Sequence, residues 1–415
     1  MFLNFKKRYT VPLLCLAGIA CGVIILSRFS GVYSNVDYTN PENQTSAVAS
    51  TDVNVLGSNS SASPSVAINS QSDSALTLSD GVIHIKTPEV VKAIYLSGWV
   101  AGSIKHRAPL IKMIDETELN AIVIDVKDST GRISFPVHDP VLASFGSAEK
   151  RIADIDTLIK ILHQKNIYVI GRVAVFQDPY MTSHKPEWAV RRKSDGGVWK
   201  DRKGLSFLDP TKKEVWDYVI RVANEAYARG FDEINFDYIR YPSDGNMKDI
   251  NYNLAEGKTR ADNIETFFIH LASEMKKDAN IPISGDLFGL TTEVNDDMGI
   301  GQIWEKALPH FDFLSPMVYP SHYPSLHMGY KNPALYPYNV IDRALERAIL
   351  KTQKIAMPIA KIRPWLQDFD MGAVYTKEMI QAQIKAVNDN NLTSWMLWDP
   401  ANKYTSSALK VEHTR

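Results

Sequence analysis

Eight short apolar runs recur between residues 91 and 400, and segments of helical periodicity separate them. The runs are VKAIYLSG (91–98), AIVIDVKD (121–128), IYVIGRVAVF (167–176), EINFDYIRYP (233–242), PISGDLFGL (282–290), FLSPMVYP (313–320), KIAMPIA (354–360) and TSWMLWDP (393–400). Near-continuous apolar character marks strands buried on both faces, as parallel sheets require. Between them, residues 151–165, 211–230, 263–279, 339–351 and 376–391 repeat apolar positions at helical spacing. Gly230 closes the second of these helices as a C-cap. Eight such units predict an α/β fold, a (β/α)8 TIM barrel, with a doubly wound sheet as the alternative. Only about 15 residues follow the last run, so the final helix is expected to be short or missing. Long connections follow the third run (177–210) and the sixth (320–337), on the side where such barrels build binding sites.

The rest of the chain divides around that barrel. Val11 to Leu26 is apolar and follows Lys6, Lys7 and Arg8. As a helix it would extend about 24 Å, enough for a transmembrane signal anchor with local adjustment. The basic flank predicts a cytoplasmic N-terminus. A cleaved signal is the competing reading, but no small-x-small site follows Leu26. Residues 29–85 are rich in Ser, Asn and Thr and predict a flexible linker. The expected division is 1–28 anchor, 29–85 linker and 86–415 barrel, with the barrel on the periplasmic or extracellular side of the cytoplasmic membrane. Both cysteines, Cys15 and Cys21, fall in the anchor, so the barrel needs no redox partner.

Polar residues collect where the apolar runs end. Asp125, Lys127 and Asp128 close the second run; Arg172 and Asp178 belong to the third; Asp237, Arg240 and Tyr241 to the fourth. Asp286, Tyr319, Trp398 and Asp399 stand at the ends of the fifth, sixth and eighth. A strand-end aspartate often caps the next helix or pairs with an arginine, which is the ordinary reading of Asp128 or Asp399. Asp237 is different, because it ends an otherwise apolar strand where burying a carboxylate is costly unless it is paired or functional. Asp286 holds the equivalent place on the next strand. Two carboxylates on neighbouring strand ends suit an acid and a base, or a nucleophile and an acid, across a glycosidic bond. The aromatics Trp99, Tyr180, Trp188, Trp199, Tyr238, Tyr241, Tyr319, Tyr323, Trp365 and Trp398 gather near the same rim, where sugar rings could stack.

The stretches KAIYLSGW, NAIVIDVKDSTGRI, GRVAVFQDP, HKPEWAV, FDEINFDYIRYPSDG, SPMVYPSHY and WMLWDPAN occur in order from about Val91 to Pro400. In these the chain resembles a bacterial family of glycosyl-hydrolase-like TIM-barrel domains, named by prediction and not by a defined activity. The resemblance implies a glycosidase-type barrel with Asp237 as the leading catalytic candidate. Chitinase-like barrels carry Asp-x-x-Asp-x-Asp-x-Glu on strand 4, and Asp232, Asn235 and Asp237 are similar in spacing. Ile239 stands where that family has its proton-donating Glu, so substrate-assisted chemistry is not carried over. A strand 4 Asp paired with a residue of another strand is similar to amylase-like barrels, whose Asp is the nucleophile.

These readings converge on a membrane-tethered glycoside hydrolase acting on an envelope or extracellular polysaccharide. Asp237 would be nucleophile or base and Asp286 the general acid. Asp125, Arg172, Asp178, Arg240, Tyr241, Tyr319, Trp398 and Asp399 would bind the sugar. A non-catalytic carbohydrate-binding barrel is the alternative. No metal or cofactor is expected: His322 and His327 lack carboxylates at ligand spacing, and Gly257-Lys258-Thr259 lacks the leading glycine of a phosphate loop. With 46 Lys and Arg against 47 Asp and Glu, no nucleic-acid partner is expected, and a neutral or mixed glycan fits better than a polyanion.

Overall fold

The computed structural model describes residues 75–77 and 81–412. Eight parallel strands close into a barrel. They are β1 (Lys92–Leu96), β2 (Ala121–Lys127), β3 (Tyr168–Ala174), β4 (Glu233–Asp237), β5 (Ile283–Phe288), β6 (Phe313–Met317), β7 (Trp365–Gln367) and β8 (Trp395–Trp398). The helices that follow β1 to β7 are α1 (Ile104–Glu116), α2 (Ile155–Gln164), α3 (Lys213–Ala228), α4 (Arg260–Lys277), the single turn α5 (Trp304–Ala307), α6 (Pro337–Lys354) and α7 (Lys377–Asp389). After β8 the described residues hold only a 3-10 turn, Ser406–Ala408. The expected anchor at Val11–Leu26 and most of the linker lie outside the described residues. No helix among the described residues is long and apolar enough to cross a membrane.

The strands are apolar on both faces because both faces are covered. Residues such as Ile94, Ile122, Val169 and Ile234 point outward into the helix layer. Ala93, Val123, Ile170 and Met396 fill the interior. The α2 segment buries Ile155, Leu158, Ile159 and Leu162, the stripe its periodicity predicts. Gly230 takes φ +102 just past α3, so it ends that helix in a conformation other residues resist. The helix α1 was not legible in the sequence, because KHRAPLIKMIDE mixes charges and carries Pro109 in its interior.

One expected strand is placed elsewhere. KIAMPIA (354–360) is the end of α6 followed by a turn: Lys354 closes the helix, Ala356 has φ +55, and Ile359–Lys361 is 3-10. Its apolar residues Ile355, Met357 and Ile359 pack against the outer core. The seventh strand is Trp365–Gln367, three residues in length and preceded by Arg363 and Pro364. A run that short, with polar members, lacks the apolar stretch that marked the other seven.

The inside of the barrel is not wholly apolar. At its lower end the Glu233 carboxylate is ion-paired to Arg363, and both side chains are buried. Ser284 Oγ donates to Glu233 Oε1 at 2.6 Å, and Tyr168 Oη donates to Oε2 at 3.2 Å. Removing one member of such a pair leaves an uncompensated buried charge. Glu233→Ala is therefore expected to lower the unfolding free energy by about 3–5 kcal/mol, measured by chemical denaturation of the fragment from residue 81 onward.

Candidate functional site

The polar residues of the barrel mouth follow from strand alternation. In β4, Glu233, Asn235 and Asp237 share the inward face, and Ser284 and Asp286 do so in β5. The two strands are paired up to Phe236 and Gly285. Asp237 and Asp286 are the next residues on each, so they stand side by side at the rim.

Arg172 on β3 organises this rim. Its Nη1 donates to Asp125 Oδ1 at 2.7 Å, and its Nη2 and Nε donate to Asp237 Oδ2 at 2.5 and 3.2 Å. Tyr95 Oη donates to the other Asp125 oxygen at 2.6 Å. The Trp398 ring stacks on Tyr95 with centroids 3.9 Å apart, and the Arg172 guanidinium lies 5.0 Å from the Trp398 centroid. One buried cation therefore bridges two carboxylates under an aromatic cover.

The two central carboxylates differ in surroundings. Asp237 lines a narrow cleft with Tyr238, Arg240, Phe288, Gly289, Met317 and His322. Its Oδ1 accepts the Tyr238 backbone N–H at 2.6 Å. Tyr238 has φ +53, a strained conformation for a non-glycine residue, and the chain turns out of the strand there. Asp286 is 1% exposed against 7% for Asp237. Its Oδ1 accepts from Asn235 Nδ2 at 2.8 Å and from Trp365 Nε1 at 2.9 Å. Burial, and then the charge of Asp237, push its pKa up to about 8 against those hydrogen bonds. Both effects favour the protonated form of Asp286.

The remaining predicted residues separate into two groups. Asp125, Arg172, Arg240, Tyr319 and Trp398 gather at the mouth. Arg240 lies over Phe288 and Tyr238, its charge 4.9 and 5.3 Å from their ring centroids, and Tyr319 packs edge-on to His322 at 5.1 Å. Tyr241 and Asp178 are elsewhere, against expectation. The Tyr241 ring turns outward from β4 and its hydroxyl meets Asn263 of α4 at 3.0 Å, because the Tyr238 turn breaks the alternation of faces. Asp178 pairs with buried Lys127 at 2.8 Å and accepts the Met181 N–H at 2.7 Å, capping a short helix. Lys127 faces outward because a bulge between Asp125 and Lys127 shifts the register. Asp399 lines a second hollow with Asp368, Asp370 and Lys403 and accepts the Ala401 N–H at 2.6 Å. Asp232, matched in spacing to the chitinase-like pattern, is at the opposite end of β4, where it accepts the backbone N–H groups of Ile85 and Val169.

The sequence does not mark His322 or Tyr95 as residues of the barrel mouth. His322 is a buried wall of the cleft, not a surface-loop histidine, and burial lowers its pKa to about 3, so it stays neutral. Tyr95 sat inside an apolar run with no signal to separate it from core. Among the described residues, no group of three His, Cys, Asp or Glu could hold a metal ion.

The raised pKa of Asp286 fixes the sign of a pH effect. The folded state holds this proton more tightly than the unfolded chain, so the group's contribution is full below about pH 4 and is lost as pH rises to about 8. Asp286→Asn keeps an oxygen for Asn235 and Trp365 and has no proton to lose. The difference in unfolding free energy between variant and wild type is expected to grow in the variant's favour from pH 4 to 8 and level off above, as followed by urea denaturation.

The sequence of residues 93–404 matches the family described as "Putative glycosyl hydrolase domain". No curated protein matches the chain. A hypothetical protein from Ruminiclostridium thermocellum is 36% identical over 46% of this chain and 96% of its own, with a TM-score of 0.43. The glycoside hydrolase domain of PgaB (BpsB) from Bordetella bronchiseptica is 10% identical over 75% of this chain and 94% of its own, with a TM-score of 0.56, a likeness of fold. With three quarters of its length matched to the family and the barrel built as described, the chain belongs to this glycosyl hydrolase domain family.

Proposed function

We propose that the protein is a glycoside hydrolase that cleaves glycosidic bonds of a polysaccharide with Asp237 and Asp286. The observation that carries this reading is the pair of carboxylates adjacent on neighbouring strand ends in unlike surroundings, Asp237 facing the cleft and Asp286 buried beside it. Burial and the charge of Asp237 raise the pKa of Asp286, which suits it to donate a proton to the leaving-group oxygen as the C–O bond breaks. Asp237 lines the cleft and is oriented by Arg172 and the Tyr238 N–H. It acts as nucleophile on the anomeric carbon or as base toward water, and the anomeric form of the first product, read by NMR, tells which. Arg240 gives the sugar a cation and Tyr238 and Phe288 of the cleft give it aromatic surface, while Arg172, fixed by Asp125, holds Asp237 in place.

A second reading, a non-catalytic carbohydrate-binding barrel, is favoured by one fact: Asp286 is almost fully covered. Asp237→Asn separates the two. The hydrolase reading expects turnover to fall by roughly 10³-fold with binding kept, following the size of general acid–base and nucleophilic terms. Equal product release by wild type and Asp237→Asn, or no product from any envelope or secreted polysaccharide, would overturn it.

Asp286 as acid predicts a further signature. Wild-type kcat/KM falls above about pH 8, where the donor loses its proton. Asp286→Asn loses activity on polysaccharides but keeps much of it on aryl glycosides, whose leaving groups need little protonation. A pH profile on both substrates checks this.

The N-terminal reading completes the proposal. Residues 1–28 anchor the chain in the cytoplasmic membrane, 29–85 tether it, and the barrel from residue 86 works outside the cytoplasm. Its support is the basic-flanked apolar run at Val11–Leu26. The full chain should sediment with membranes and resist extraction by salt, whereas the fragment from residue 81 stays in solution.

A further inference from the structure

The connection after β3 builds a small flap on the catalytic face. Arg191–Arg192 pairs antiparallel with Ile250–Asn251 of the connection after β4. Val190, Trp199, Phe207 and Ile250 form its own core, and Trp199 Nε1 donates to the Asn246 carbonyl at 3.0 Å. The flap is thereby tied to the connection that carries Arg240 into the cleft.

Its charge sets it apart. Residues 191–203 hold six Lys and Arg against two Asp, which leaves 40 basic against 45 acidic residues elsewhere. The chain's near-neutral average conceals a cationic flap on an otherwise anionic protein. Its two acids are engaged locally: Asp195 pairs with Arg192 at 2.7 Å, and Asp201 Oδ1 accepts the Lys203 and Leu205 N–H groups. Lys193, Lys200 and Arg202 are exposed and add nothing to the flap's apolar core. Arg202 reaches Asp244 at 3.2 Å, and the adjacent Ser243 Oγ accepts from Arg240 Nη1 at 3.2 Å. The flap is thus linked through Asp244 and Ser243 to the Arg240 guanidinium, which lines the cleft with Asp237. A charged rim around a low-dielectric cleft concentrates ligands of opposite sign.

We propose that this flap recruits an anionic polysaccharide, bearing carboxylate or phosphate groups, and leads it along Arg240 into the Asp237 cleft. The inference rests on the glycoside hydrolase reading and names the substrate class, in place of the neutral glycan that the average charge suggested.

Binding is measured apart from hydrolysis, using full-length Asp237→Asn protein in detergent and affinity electrophoresis. The probes are polygalacturonate (carboxylate), polyglycerol phosphate (phosphate), neutral dextran and duplex DNA. Retention by either anionic polymer and not by dextran is expected, and which polymer is retained identifies the anionic group. Raising NaCl from about 50 to about 500 mM should weaken it roughly tenfold, because exposed charges are screened. Lys193→Glu with Lys200→Glu, both outside the flap core, should weaken it by a similar factor while thermal unfolding stays unchanged. Equal retention of dextran, an unchanged affinity in the double variant, or equally tight binding of DNA would each overturn the proposal. If the anionic glycan binds but the wild-type enzyme never releases product from it, the hydrolase reading fails and the flap assignment stands.

Discussion

The guanidinium of Arg172 is the interaction on which the barrel mouth depends. It enters from β3 and joins Asp125 of β2 to Asp237 of β4, so three consecutive strand ends share one cation. Without it, Asp125, Asp237 and Asp286 would be crowded acids in a water-poor space, a costly arrangement. With it, Asp237 is held toward the cleft, and Asp286 is pushed toward its protonated form by its burial and then by the charge of Asp237. Charge neutralisation at Asp125 and proton retention at Asp286 are thus two outcomes of the same electrostatic constraint.

The lower barrel repeats the solution with different residues. Glu233 and Arg363 neutralise one another in the interior, while Ser284 and Tyr168 satisfy the carboxylate's remaining lone pairs. Asn235 links the levels, donating to Ser284 Oγ at 3.1 Å and to Asp286 at 2.8 Å. The interior therefore carries a polar column through an apolar cylinder, and the inward face of β4 supplies one member at each level. That is the physical sense of a strand spelled Glu-x-Asn-x-Asp.

Much of this is legible in the sequence. Seven of eight strands lie within their apolar runs, since burial on both faces leaves a continuous signal. Asp237 and Asp286 were legible as polar residues out of place at strand ends. Tyr241 and Asp178 were not placed correctly, because a left-handed Tyr238 and the buried Lys127 decide where they point. His322 looked like a loop histidine since its burial comes from Tyr319 and Phe369, and Phe369 is far away in the chain.

The sequence by itself determined the alternation of strand and helix, an α/β fold with a barrel as its leading form, and which strand ends would carry charge. These follow from periodicity and from the cost of burying polar groups, which are local properties of the text. Only the tertiary structure decided which charges meet. The bridge from Arg172 to Asp125 and Asp237, the Trp365 ring donating to Asp286, and the seventh strand at Trp365–Gln367 all depend on how the strands pair and curve into the barrel. Strand pairing and the curvature of the sheet bring residues separated by 47 to 79 positions within hydrogen-bond distance, and no local pattern encodes a contact of that range.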